Sequence, residues 1–354
     1  MRKLFLAGLF AVISIVAVES FSSYVLYRAY AVSHKSLHPS GSATYILLKR
    51  ILVSKILGRH SVLERWADHG PIFGPDPILG YKMYPGNYLV TERLDGMSHQ
   101  FRIDVDKWGR RSTSYIPVRA PHTIYVTGDS GMFGWGLDDE QTLPWLLQGR
   151  LPNFQVVNLS VSGYSTVHAL LQLKHIVPSG DAGDILVMAY HDLTNELNVR
   201  SPKRLREISI GLEWQLSDKR QMSGISLPFG AIDTNGSFLI RRIDLSCARG
   251  AFVGRCAHPA LSESASWQVT ERAFDKIISM RLGRLVLAVT SASDSDPVVE
   301  YLRSKGVLIA DLRIAPDAPD ANDVIPTDYH AGAFHQHAEF LRLLDALKRD
   351  HLVE

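Results

Sequence analysis

From Thr123 onward, short apolar runs alternate with helical periods, and this alternation constrains the fold more than any other feature. Thr123–Thr127, Phe154–Leu159, Ile185–Tyr190, Leu285–Val289 and Val307–Leu312 read as strands. Gln141–Leu151, Val167–Ile176, Trp267–Leu282, Pro297–Ser304 and a last segment from Ala333 to Arg349 read as helices. In the third of these, Ala273, Phe274, Ile277 and Ile278 recur at helical spacing. Strands separated by helices predict a parallel sheet with helices on both faces. Ile185–Tyr190 is apolar almost throughout, which suits a strand buried on both sides. A long irregular stretch, roughly 195 to 266, interrupts the pattern. Residues 71 to 121, rich in Pro and Gly, read as loops.

The chain has 354 residues, 46% of them apolar, enough for one large α/β domain with attachments or for two domains. Lys and Arg number 38 against 36 Asp and Glu, so the basic excess of a nucleic-acid binder is missing. Leu4 to Leu26 is apolar apart from Glu19 and a few serines, and Arg2 and Lys3 precede it. The favoured reading is an uncleaved signal anchor over 1–28, with the bulk of the chain outside the cytoplasm. A cleaved signal and a buried helix are the alternatives. Residues 43–59 form a basic amphipathic helix that either lies on the membrane surface or packs on the main domain. Cys247 and Cys256 either close a disulfide in an oxidising compartment or remain two thiols.

In open parallel sheets ligands bind beyond the carboxyl ends of the strands. After the first strand comes Gly128-Asp129-Ser130-Gly131, a turn that exposes a hydroxyl beside backbone N–H groups. After the second comes Asn158 to Tyr164, where Gly163 offers another N–H, and after the third Tyr190-His191-Asp192. Asp328 and His330 follow the fifth strand. A serine hydroxyl needs a base, and the base needs an orienting acceptor. Asp328 can hold one ring nitrogen of His330 while the other faces Ser130. Each piece has a bland reading: Gly-Asp-Ser is a common turn, and Asp328 can simply cap the last helix. A metal site from His330, His335, His337 and Asp328 fits poorly, because His335 and His337 do not share a helix face. His168 and His175 read as ordinary surface or partly buried residues.

The block Ile124-Tyr-Val-Thr-Gly-Asp-Ser130-Gly-Met-Phe-Gly-Trp-Gly-Leu resembles the SGNH (GDSL-type) hydrolase superfamily, in the version carried by membrane-anchored bacterial members. Asn158, Gly163-Tyr164, the segments Ile78–Gly86 and Val105–Ser112, and Asp328 with His330 extend the resemblance over roughly residues 75 to 348. It implies a flavodoxin-like α/β/α sandwich with a five-stranded parallel sheet. It also implies Ser130 as nucleophile, His330 as base, Asp328 as its orienter, and an oxyanion hole from the N–H groups of Ser130 and Gly163. Two positions depart from the pattern. His191 stands where the family places an oxyanion-hole Asn; a ring N–H can still donate there, so His191 joins Ser130 and Gly163 in the expected oxyanion hole, and losing such a donor typically costs about 10²–10³ in rate. Ala331–Gln336 replaces the residues that usually follow the catalytic His, which predicts a repacked loop.

These readings divide the chain into an anchor at 1–28, a basic linker at 29–74, an extension at 75–120 packed on the catalytic unit, and a hydrolase domain at 121–354. The expected activity is a serine esterase that cleaves a short acyl group, such as acetyl, from a carbohydrate or other small ester. It would need no cofactor or metal. The expected place is the inner membrane with the site in the periplasm, alongside envelope polysaccharide machinery. Trp214 and Phe229 are expected to cover the site. Rival readings are a polysaccharide O-acetyltransferase with the same triad, and a non-catalytic glycan-binding or scaffold member, which His191 favours.

Overall fold

The computed structural model describes residues 63–354 apart from 117, 177–180, 182, 214–223, 246–261, 294 and 316–317. The chain divides into one unit of residues 63–314 with 323–354 and another of residues 1–62 with 315–322. The first carries the sheets and the site. Of the second, a single 3-10 turn is described, Pro319–Asn322. The expected anchor, the basic helix at 43–59, Trp214 and the Cys247–Cys256 pair lie outside the described residues. No helix among the described residues is long and apolar enough to cross a membrane.

The N-terminal part is β-structure: β1 (Glu64–Ala67), β2 (Phe73–Asp76), β3 (Gly80–Met83), β4 (Gly86–Leu94) and β5 (Met97–Val105). β1, β4 and β5 form one antiparallel sheet, and β2 and β3 pair as a separate ribbon. This corrects the expectation of loops here. Tyr88 and Val90 alternate inward on β4, as do Phe101, Ile103 and Val105 on β5. The prolines that suggested loops fall at or near the ends of the short strands.

The parallel sheet follows. Its elements are β6 (His122–Thr127), α1 (Ser130–Phe133), α2 (Leu143–Arg150), β7 (Phe154–Asn158), α3 (Thr166–Ile176) and β8 (Ile185–His191). Next come α4 (Leu193–Val199), α5 (Pro202–Glu213), β9 (Ser226–Ile232), β10 (Phe238–Asp244) and α6 (Glu263–Met280). β11 (Arg284–Ser291), α7 (Pro297–Ser304), β12 (Leu308–Asp311) and α8 (Ala333–Arg349) complete the chain. The five strands run parallel in the order β12-β11-β8-β6-β7. Taken in order of entry this is 2-1-3-4-5, the flavodoxin-like winding, with its reversal between β6 and β8.

Alternate residues of each strand serve opposite cores. Ile185 and Val187 of β8 join Leu147, Leu343 and Leu347 from α2 and α8. Leu186 and Met188 join Leu173, Phe274 and Leu302 from α3, α6 and α7. A third core unites the N-terminal strands with Phe133, Trp135, Tyr164, Ile208 and Leu227. Among the described residues of the stretch expected to be irregular, helix and strand therefore prevail. Leu205, Ile208 and Leu212 are the buried stripe of α5, and β9 and β10 form a hairpin around Asp233-Thr-Asn-Gly236. Asp233 Oδ1 accepts the N–H groups of Asn235 and Ser237 in that turn.

Arg111 locks the N-terminal strands to the loop after α1. It is 1% exposed and pairs with Asp139 at 2.5 Å. Its guanidinium also donates to the carbonyls of Phe133, Gly134, Arg102 and Leu137. Truncating one partner of such a buried pair typically costs about 3–5 kcal/mol. Arg111→Ala is expected to lower unfolding stability by about that amount in urea titration. A loss under about 1 kcal/mol would show that the clamp is dispensable.

Candidate active site

Each candidate residue sits beyond the carboxyl end of a parallel strand, at the switch in strand order. β6 ends at Thr127, and Gly128 leads into Asp129, whose side chain accepts the Gly131 N–H at 3.1 Å and caps α1. Ser130 is thereby the first helical residue, with its backbone N–H at the open end of the turn. Gly134 closes α1 at φ +80°, where a Cβ would lie 2.5 Å from a Thr142 methyl. No other residue fits there without displacing that side chain.

After β7, the Val161 N–H donates to the Gly128 carbonyl, which ties this loop beside the Ser130 turn. Gly163 takes φ +79°. Its carbonyl accepts Arg200 Nη1 at 3.0 Å, and the neighbouring Ser162 carbonyl accepts the Tyr81 hydroxyl at 2.6 Å. Arg200 is buried, and burial lowers its pKa to about 10. Its Nη2 lies 3.0–3.2 Å from both ring nitrogens of His168. His168 is thus fully buried rather than superficial, and burial holds it well below the usual imidazole range.

The last segment is a tight turn. The Ile325 N–H donates to the His330 carbonyl, and the Tyr329 N–H donates to the Ile325 carbonyl. Tyr329 carries φ +66°, a left-handed backbone that non-glycine residues rarely adopt. Asp328 Oδ1 accepts the His330 backbone N–H at 3.2 Å, and Oδ2 lies 2.8 Å from His330 Nδ1. His330 Nε2 lies 2.8 Å from Ser130 Oγ. Asp328 therefore does not cap α8; Asp323 does, accepting the N–H groups of Phe334 and His335. Of the segment Ala331–Gln336, expected as a repacked loop, residues 333 onward are the first turn of α8, and there Gln336 Nε2 reaches the Gly131 carbonyl at 3.4 Å while its Oε1 accepts the Leu143 N–H.

A second Asp–His pair flanks the serine. His191 Nε2 lies 2.6 Å from Asp129 Oδ2, so only the ring's other nitrogen is left for any donation to an oxyanion. Asn195 is not in reach of that task either, since its Nδ2 donates to the Tyr190 hydroxyl and the Asp192 carbonyl. His335 turns toward Glu339 at 3.7 Å and His337 packs against Phe340. Among the described residues, no group of three or more His, Cys, Asp or Glu is placed to hold a metal.

Electrostatics follow the pairing. Burial pushes both imidazoles down, but Asp328 and Asp129 raise His330, and Asp129 raises His191, so both end above the usual 6.5. Burial pushes both carboxyls up, but the imidazoles more than offset it, and Asp129 and Asp328 end below the usual 3.8.

Sequence reasoning missed the residues behind Asp328 and His330. Arg65 Nη2 donates to Asp328 Oδ2 at 2.8 Å, across a separation of 263 residues. Its Nε donates at 2.6 Å to Glu92, which is fully buried. Glu92 also accepts Trp135 Nε1 at 3.0 Å and the Thr327 hydroxyl at 2.6 Å. Nothing in the local sequence marks Arg65 or Glu92.

A raised imidazole stabilises the fold fully below its unfolded pKa, and that contribution fades as pH climbs through the folded value. Depressed carboxyls contribute above their unfolded pKa and lose the contribution as pH falls. The Asp129–His191 pair is therefore worth most between about pH 4 and 6.5. Below pH 6.5, buried His168 acts in the opposite sense. His191→Gln should cost more stability at pH 5.5 than at pH 9, measured by urea melts against wild type. An equal cost at both would show that the pair is not charged.

No family model matches the chain, and no curated protein matches it. Among solved structures it is similar to a lipolytic G-D-S-L family member from Veillonella parvula, at 11% identity and TM-score 0.37, covering 64% of this chain and 99% of that one. A psychrotrophic esterase from Pseudoalteromonas sp., inhibited by monoethylphosphonate, matches at 12% identity and TM-score 0.35, covering 65% and 98%. An acetylxylan esterase from Geobacillus stearothermophilus, in a catalytic mutant, matches at 10% identity and TM-score 0.35, covering 66% and 96%. The likeness is remote, and what this site can do follows from its own atoms.

Proposed function

We propose that the chain is an SGNH-type serine esterase that removes a short acyl group through an acyl-enzyme. The observation that carries the reading is the unbroken run from Ser130 Oγ to His330 Nε2 and from His330 Nδ1 to Asp328, both at 2.8 Å. A serine hydroxyl activated in this way attacks an ester carbonyl as its proton passes to Nε2. The charge left on the carbonyl oxygen falls to the N–H groups of Ser130 and Gly163. His330 then protonates the leaving alcohol, and a water, deprotonated by the same nitrogen, releases the acid. Asp328 stays ionised throughout, as its depressed pKa requires, and stabilises the imidazolium.

The raised His330 pKa sets the pH dependence. The base works only when neutral, so kcat/KM is expected to rise as pH climbs through a value above 6.5. A profile already flat at pH 6 would contradict a charged Asp328–His330 pair.

The apolar run from Leu4 to Leu26 supports an anchored, periplasmic enzyme, and a carbohydrate acetyl ester is the substrate this proposal favours. A fluorophosphonate probe tests the chemistry. Wild type should label and Ser130→Ala should not, while His330→Ala should lose about 10³-fold or more in kcat. Labelling of Ser130→Ala equal to wild type would sink the serine mechanism. Product analysis with an acetylated sugar then separates release to water from transfer to a second sugar.

A further inference from the structure

We infer that Arg65, carried by the N-terminal strands and fixed by buried Glu92, is a positioning residue for the Asp328–His330 pair. The inference rests on the serine-esterase reading for its kinetic arm alone. Asp328 Oδ2 has two partners at 2.8 Å, His330 Nδ1 and Arg65 Nη2. Its Oδ1 takes the His330 backbone N–H, so the carboxylate is held on both oxygens. A carboxylate so held cannot rotate away from the imidazole it must orient.

Arg65 in turn has little freedom. Its Nε is 2.6 Å from Glu92 Oε1, and its guanidinium carbon lies 5.6 Å from the Trp135 ring centroid. Glu92 has no exposure, and its three donors come from three parts of the site. Arg65 is from β1, Trp135 is from the loop that follows α1 and Ser130, and Thr327 precedes Asp328. One carboxylate thus spans the nucleophile side and the acid side, and Arg65 extends it to the Asp328 oxygen.

The second effect is electrostatic. His330 faces three charged groups from separate elements, Asp328 on its own turn, Asp129 ahead of α1 and Arg65 on β1, while His191 at the end of β8 is paired to Asp129. Glu92 stands behind Arg65. The two carboxylates favour the imidazolium, and Arg65 opposes it. A guanidinium sharing Oδ2 therefore keeps the base from being pushed too far above neutral pH, where it would spend its time protonated.

The test uses the full chain with 15N-labelled histidine. In Arg65→Gln, His330 is expected to titrate at higher pH than in wild type, and the acid limb of kcat/KM on p-nitrophenyl acetate should move up with it. The value of kcat should fall about 10- to 100-fold with KM little changed, the size of effect a small misplacement brings. Arg65→Lys keeps the charge but cannot reach both carboxylates, so it should restore the titration and only part of kcat. A folded Arg65→Gln with unmoved His330 titration overturns the inference. If that variant does not fold, Arg65→Lys decides, and a wild-type kcat there overturns it. A wild type that neither labels with fluorophosphonate nor cleaves ester overturns the esterase reading instead, and the titration arm still decides on Arg65.

Discussion

A carboxylate without any exposure is costly to bury, and Glu92 is tolerable only because Arg65, Trp135 and Thr327 satisfy it. Much of the site's geometry hangs on that satisfaction. The parallel sheet delivers Ser130 and the Asp328–His330 turn to the same end of the fold, but it does not by itself fix the distance between their loops. Glu92 does so from outside the sheet, by holding a residue on each. The N-terminal strands are therefore part of the site's framework as well as part of a shared core.

The switch in strand order concentrates charge around one hydroxyl. Ser130 follows Asp129 directly, and each of two aspartates near it holds a histidine. The pairs differ in reach. His330 touches the serine oxygen, whereas the Nε2 of His191 is turned to Asp129. His191 thus serves first to hold the acid that caps the Ser130 turn. That acid also accepts the Gly131 N–H, so the pairing stiffens the backbone on which Ser130 sits.

Much of the sheet was legible because its signals are local. Strand runs buried on both faces are apolar whatever their neighbours, and the helices Pro297–Ser304 and Ala333–Arg349 occupy the spans their periodicity gives. Ser130, Asp328 and His330 stood out because their residue types and chain order imply one chemistry. Prolines and glycines crowd the short β2 and β3 and make that part read as loop, whereas the alternation Phe101-Arg-Ile103-Asp-Val105 in β5 is a legible local signal. The α5 stripe and the Asn235-Gly236 turn are local signals of the same kind. Arg65 and Glu92 were not readable at all. Their meaning comes from burial and from partners up to 263 residues away, and no spacing rule encodes that. His168 was misread for a related reason, since its burial is decided by Arg200 and Tyr164 packing on it.

The Arg65–Asp328 contact joins nearly the two ends of the described chain, and that has a consequence for how the protein matures. Each strand–helix–strand unit of the parallel sheet closes over short loops, so it can form early. The contact that steadies Asp328 requires the N-terminal strands to meet a turn 263 residues further along, at a larger cost in loop-closure entropy. Competence at this site therefore arrives late, when the whole chain has closed. A partly closed chain can already carry the Ser130 turn while Asp328 and His330 are still unsteadied.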